Sequence, residues 1–253
     1  MTEQINGWSL ETAVGPDPHL SQGDLVIFCD SSDPLKEAGI VVTADCDLKN
    51  RKHAHLVTLV PIVSILATME RYLFLEACEM QRPQILDFAC RTLKIDRGEE
   101  LLIIEARLRE VFEEILPNSP QAIAVDIILR QRESLSVKEY AALMNAIGSK
   151  AKAASSFEMQ LLNKGDVMVL PSAEKLGVKG EIAWVRHIWQ VPIGQIAVKT
   201  SDIKHCPGER VARLESPYRY RLTQVMAQVF SDIGLPDNDR KFKNDIEKVF
   251  ANV

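Results

Sequence analysis

The sequence carries none of the short signatures that name an enzyme. It has no Gly-rich phosphate loop, no dinucleotide fingerprint, no GxSxG elbow, no kinase signature, and no CxxC or HExxH pair to hold a metal. No window of eighteen consecutive apolar residues occurs, which excludes an ordinary transmembrane helix, so no membrane partner is expected. The first fifteen residues lack a basic stretch followed by an apolar one, so no secretion signal is expected either. Cysteine is sparse: Cys29, Cys46, Cys78, Cys90 and Cys206 are odd in number and widely scattered. That spacing suits free thiols in a reducing compartment, and the expected location is the cytoplasm. Nor is there an excess of positive charge. With 30 basic against 35 acidic residues the formal net charge is -5, which argues against a whole surface built for nucleic acid but leaves room for local basic patches.

What the chain does have is apolar content, 46% of its residues, enough to bury a sizeable core and too much for a disordered chain. Periodicity divides it into five stretches. Residues 1–19 are polar, contain Gly15-Pro16-Asp17-Pro18, and read as an irregular lead-in. Residues 20–63 hold three short β-rich runs, Leu25 to Phe28, Ile40 to Thr43 and Leu56 to Ile62, parted by Gly, Pro and Asp. Residues 64–160 change to helical spacing, with Ile65, Leu66, Met69, Tyr72, Leu73, Ala77 and Met80 expected on one face. Asp96 with Glu99 and Ser136 with Glu139 read as capping boxes, and Ser119-Pro120 as a helix start. β signals return over residues 161–204, in Asp166 to Leu170, Glu181 to Trp189 and Gln195 to Thr200. Residues 205–253 read as a C-terminal helical region, opened by Ser216-Pro217 and closed by a short helix over 239–251.

The two β stretches echo one another. Leu20-Ser21-Gln22-Gly23-Asp24-Leu25 matches Leu162-Asn163-Lys164-Gly165-Asp166-Val167 at a constant offset, since 162 − 20 and 165 − 23 are both 142. Each continues into a strand, a polar loop, a strand opened by Gly39 or Gly180, and a third apolar run. Gly allows positive φ in such a turn and Asp can bond nearby amides. The expected class is therefore α+β: two small barrel units bracketing a long helical insertion, with C-terminal helices.

Residues 20–64 resemble the small SH3-like barrel of PemK/MazF-type toxins. The residues that carry the resemblance are Gly23-Asp24-Leu25-Val26, Val41-Val42-Thr43-Ala44-Asp45 with Asn50, and Leu59-Val60-Pro61-Ile62. The resemblance implies a small barrel and, in the family, endoribonuclease activity. Two positions depart from it. The Arg-Pro pair that precedes the family's second strand is replaced by Glu37-Ala38-Gly39, and the hydroxyl residue expected after Pro-Ile is Val63, with Ser64 following. Without that arginine, in-line cleavage of RNA loses electrostatic help at the phosphate.

Asp45-Cys46-Asp47 is the most unusual tripeptide, and with His53 and His55 downstream it could contact a metal. Its carboxylates would raise rather than lower the thiol pKa, and the expected role is to order a turn. Arg51 and Lys52, in the basic loop that follows, and Arg210, Arg213, Arg219 and Arg221, interleaved with Tyr218 and Tyr220, are candidate phosphate contacts. By strand alternation Trp184 and His187 should face opposite ways. No cofactor and no catalytic residue is assigned. The expected function is a non-enzymatic binding or regulatory component of a bacterial stress-response, toxin–antitoxin or anti-phage complex, with another protein as partner. The alternative is a divergent endoribonuclease or a nucleic-acid-binding module.

Overall fold

The computed structural model describes residues 6–10, 19–29, 31–50, 52, 54–113, 115–149, 154–163 and 165–231. The expected helix over 239–251, most of the lead-in, and Arg51 and His53 lie outside the described residues. The chain is a mixed α+β protein.

Among the described residues nine strands form one sheet: β1 (Trp8–Ser9), β2 (Asp24–Phe28), β3 (Ala38–Val41), β4 (Leu56–Val63), β5 (Val167–Val169), β6 (Ile182–Trp184), β7 (Trp189–Pro192), β8 (Ile196–Ala197) and β9 (Gly208–Leu214). The order is β1-β9-β2-β3-β4-β6-β5, with β7 also on β4 and β8 on β9. Among the described residues the strands join in this one sheet rather than in two separate barrels. The expected first and second β units share β4, which pairs with β3 through residues 59–61 and with β7 and β6 through residues 56–59 and 62–63.

The echo survives at the level of one hairpin. Leu25, Val26 and Ile27 pair with Ile40, Gly39 and Ala38, while Val167, Met168 and Val169 pair with Trp184, Ala183 and Ile182. The third runs diverge: β4 lies beside β3, whereas β7 lies not beside β6 but further along β4. Gly23 and Gly165 both take positive φ, 92° and 65°. The Asp after each is buried and accepts an arginine Nε–H, Asp24 from Arg213 at 2.7 Å and Asp166 from Arg186 at 3.0 Å.

A second correction concerns β9, which falls inside the stretch read as C-terminal helix. Its sequence, Gly-Glu-Arg-Val-Ala-Arg-Leu, shows little apolar alternation because its arginines are held by carboxylate and carbonyl partners rather than by water. Strands at the middle of the sheet are buried on both sides, which is why they read as unbroken apolar runs. Leu25, Ile40, Val60 and Ile62 point into one core with Trp8 and Leu222, Val225 and Val229 of a C-terminal helix, Ser216–Ser231. Val26, Val41, Val57 and Leu59 point the other way, onto Leu20, Val191 and Ile196. The end strands approach through a side chain, Trp8 Nε1 donating to the Pro171 carbonyl at 3.1 Å, and the sheet stays open.

The helices are α1 (Asp45–Lys49), α2 (Ile65–Thr68), α3 (Phe74–Met80), α4 (Arg82–Leu93), α5 (Leu101–Phe112), α6 (Pro120–Ile128), α7 (Val137–Ala146), α8 (Ala154–Asn163) and α9 (Ser216–Ser231). The block between β4 and β5 has its own core, with Ile85, Ile104, Leu108, Ile123 and Leu143 buried around a Phe74–Tyr140 stack at 4.4 Å. Each such aliphatic side chain contributes roughly 1.5–3 kcal/mol on burial. Arg82 closes the end of α6 by donating to the Ile128 carbonyl at 2.7 Å. Ser119 caps α6, and Ser136 with Glu139 forms the expected capping box on α7. Asp96 and Glu99 do not form one: α5 starts after Glu100, and Asp96 instead accepts from Gly98 N–H at 2.9 Å.

Between α2 and α3 the chain makes a π-helical turn, Met69–Leu73. The extra residue rotates the apolar stripe by about 100°. The single face expected from Ile65 to Met80 is therefore broken: Ile65, Leu66 and Met80 are exposed, and Leu73, Phe74, Ala77 and Cys78 take the core.

Candidate functional site

The residues singled out in the sequence are mostly engaged in holding the fold. Asp45 opens α1, and its Oδ1 accepts the Gln22 amide at 2.7 Å, tying that helix to the Gly23 turn. Cys46 is exposed, with only a 3.7 Å contact from its Sγ to Asp47. Among the described residues no group of three or more His, Cys, Asp or Glu is placed to hold a metal.

The basic stretch separates in the same way. Arg213 binds Asp24, Arg210 donates to the His19 carbonyl at 3.2 Å and lies 3.9 Å from Asp24, and Arg219 donates to the Gln22 carbonyl at 3.3 Å. Burial pushes the Asp24 carboxyl above its ordinary range, against the opposing pull of Arg213, the Ser21 amide and Arg210. Lys52 and Arg221 are exposed, and Arg221 donates to Gln224 Oε1 at 3.4 Å.

A constellation not read from the sequence forms where the helical block meets the sheet. β6 and β7 are one strand interrupted by a 3-10 turn, Val185–His187. That turn breaks the alternation, so Trp184 and His187 come together, their rings 4.0 Å apart, instead of facing opposite ways. Tyr72, delivered by the π turn, meets Trp184 edge-on at 4.8 Å and His187 at 5.5 Å. Burial pushes the His187 pKa down, with Asp166 and Asp33 pulling the other way. Burial and Asp33 push the Tyr72 pKa up, so its hydroxyl stays a donor at neutral pH.

The loop between β2 and β3 crosses this cluster as a strap. Asp33 organises it: its Oδ1 accepts Leu35 N–H at 3.0 Å, and its carbonyl accepts the Ser31 hydroxyl at 3.1 Å and Lys36 N–H at 2.8 Å. Leu35 packs beside Tyr72 on Val63, Ile182 and Trp184. Two cavities border the strap. The first, about 520 Å³, lies between this loop and the loop of the second hairpin, over the end of β4; Phe28, Pro34, Ile62 and Val178 give it apolar walls, and Glu37, Ser64 and Lys179 polar ones. The second, about 670 Å³, is lined by Ser32, Asp33, Arg71, Tyr72 and Glu133.

No protein-family model, no curated protein and no solved structure matches this chain. Among the described residues no helix is long and apolar enough to cross a membrane. Tyr72, Asp33, Arg71 and Glu133 are not predicted as site residues, because nothing local marks them. Tyr72 reads as one more member of an apolar stripe until the π turn is known.

Proposed function

We propose that the protein is a binding component of a larger protein complex, gripping its partner in the first cavity, between the two hairpin loops. The observation that carries this reading is the cleft itself, with a volume in the range of specific binding sites, apolar walls and a few convergent polar groups. Ile65 and Leu66, 42% and 54% exposed, follow Ser64 at its rim and extend the apolar wall outward. An apolar anchor from a partner would fit there, with Glu37 and Lys179 reading the polar groups around it. The toxin-like sequence features of residues 20–64 suggest a bacterial stress-response, toxin–antitoxin or anti-phage setting. Departure from the family's arginine favours binding over cleavage.

The test is a photo-cross-linking residue placed at Lys179, in the cleft, and separately at Lys138, on exposed α7, in the native host. A single protein captured from position 179 alone, and lost in a Val178→Arg background, supports the proposal. Equal capture from both positions dismisses it. Cleavage of labelled RNA at defined sites by the purified chain would select the divergent-nuclease alternative instead.

A further inference from the structure

The second cavity differs in chemistry from the first. Four of its five lining residues are polar or charged, and the fifth is the Tyr72 ring. Two carboxylates, Asp33 and Glu133, stand against one guanidinium, Arg71, so the lining carries a net charge of -1. Among the described residues, the side chains of Arg71 and Glu133 make no hydrogen bond or ion pair, and the Tyr72 hydroxyl makes no hydrogen bond. Asp33 is held by its own loop, and among the described residues the cation paired with it is Lys36, 3.8 Å away with a side chain 59% exposed. A pair so solvated holds weakly and yields readily to a better-placed cation.

The groups are also built to stay in place. Arg71 and Tyr72 are consecutive residues of the π turn, a distortion that recurs where a helix presents side chains for function. Trp184 fixes the Tyr72 ring edge-on, and Asp33 is fixed by its turn. A ligand for this lining must offer a carboxylate to a guanidinium, and a cation to two carboxylates and an aromatic ring. Its charge should be +1 to balance the cavity. A phosphate-bearing ligand fails on charge, having one cation to meet and two carboxylates to repel it.

We propose that the second cavity binds a basic amino acid, with the α-carboxylate on Arg71 and the side-chain cation between Asp33 and Glu133, beside Tyr72. The same chemistry is presented by free arginine or lysine and by a peptide that ends in one of them. This site is independent of the partner cleft.

Isothermal titration calorimetry of the full chain tests it with five probes: arginine, lysine, a short peptide ending in arginine, agmatine and citrulline. Binding of free arginine or lysine supports a small-molecule site, and binding of the terminal peptide alone supports capture of a peptide end. Either way, agmatine, which lacks the carboxylate, and citrulline, which lacks the cation, should each bind roughly tenfold or more weaker, the scale of one lost charged hydrogen bond. Agmatine or citrulline binding as well as arginine would overturn the assignment, as would no heat from any basic probe at ~10 mM. Glu133→Gln and Arg71→Met should each weaken arginine by a similar factor while leaving cross-linking from position 179 intact. Val178→Arg should do the reverse, so failure of one site does not read as failure of the other.

Discussion

Replacing Arg213 by methionine leaves a carboxylate stranded in the sheet. Asp24 has no exposed side-chain surface, and its strongest partner is the Arg213 Nε at 2.7 Å; Arg210 at 3.9 Å is a weaker substitute. Removing one member of a buried pair costs ~3–5 kcal/mol, and because the Arg213 side chain is itself partly exposed the lower end applies, about 3 kcal/mol. For a chain of this size that is a fall in Tm of about 6–12 °C. Urea unfolding followed by Trp fluorescence reads the loss directly, since Trp8 sits in the same core. The pH dependence adds a sign. Burial already holds the Asp24 pKa above its ordinary 3.8, so its contribution to stability is fully present below that value and is lost as pH rises through the folded value. Without Arg213 the folded value moves higher still. The deficit of Arg213→Met should therefore be large at pH 7.5 and shrink as the pH falls below the ordinary 3.8, where the raised pKa keeps Asp24 protonated. Adding Asp24→Leu should recover most of the loss by removing the stranded charge. A deficit below ~1 kcal/mol, or one that does not shrink with falling pH, would refute the pair as a stabilising buried charge contact between β9 and β2.

Asp45→Ala removes the acceptor of the Gln22 amide and should cost about 1 kcal/mol in chemical denaturation, while Cys46→Ser should change stability by less than ~0.5 kcal/mol. Burial raises the Glu139 pKa, but the Ser136 bonds and Arg132 outweigh it and hold the carboxyl below its ordinary range. Its stabilisation is thus present above the unfolded pKa and lost as pH falls through the folded one. Glu139→Gln should cost about 1 kcal/mol at pH 7, and the cost should fall as the pH drops below the ordinary 4.5. Burial, helped by Glu79, pushes the Cys78 thiol up to about 12, so a thiol reagent at pH 8 should label exposed Cys29 and Cys46 quickly. Labelling of Cys78 and buried Cys90 should need unfolding, and rapid native labelling of Cys78 would contradict the packing.

The elements that the sequence made legible are those whose signal is local. Ser136 and Glu139 cap their helix as the pattern says, and the Gly23 and Gly165 turns take positive φ as glycine permits. The paired hairpins that follow those turns were readable for the same reason. What sequence spacing could not reveal depends on partners far along the chain. β9 looks basic because Asp24, its charge partner, is 189 residues away. The candidate site needs two departures from regular period, the π turn that moves Tyr72 and the 3-10 turn that brings His187 beside Trp184. Strand alternation predicts the opposite placement for Trp184 and His187, and an unbroken helical period leaves Tyr72 in the apolar stripe.

The long helical block between β4 and β5 has a consequence for how the chain is made. Its core closes on contacts within residues 73–157, so it can compact while later residues are still being synthesised. β2 and β4 cannot. Their outer partners, β9 and the β6–β7 strand, come more than a hundred residues later, and pairings that distant close slowly. Until then both carry bare edges rich in Val, Ile and Leu, which invite pairing with a neighbouring chain. A chain truncated after α8 should keep a folded helical block and aggregate through its unfinished sheet.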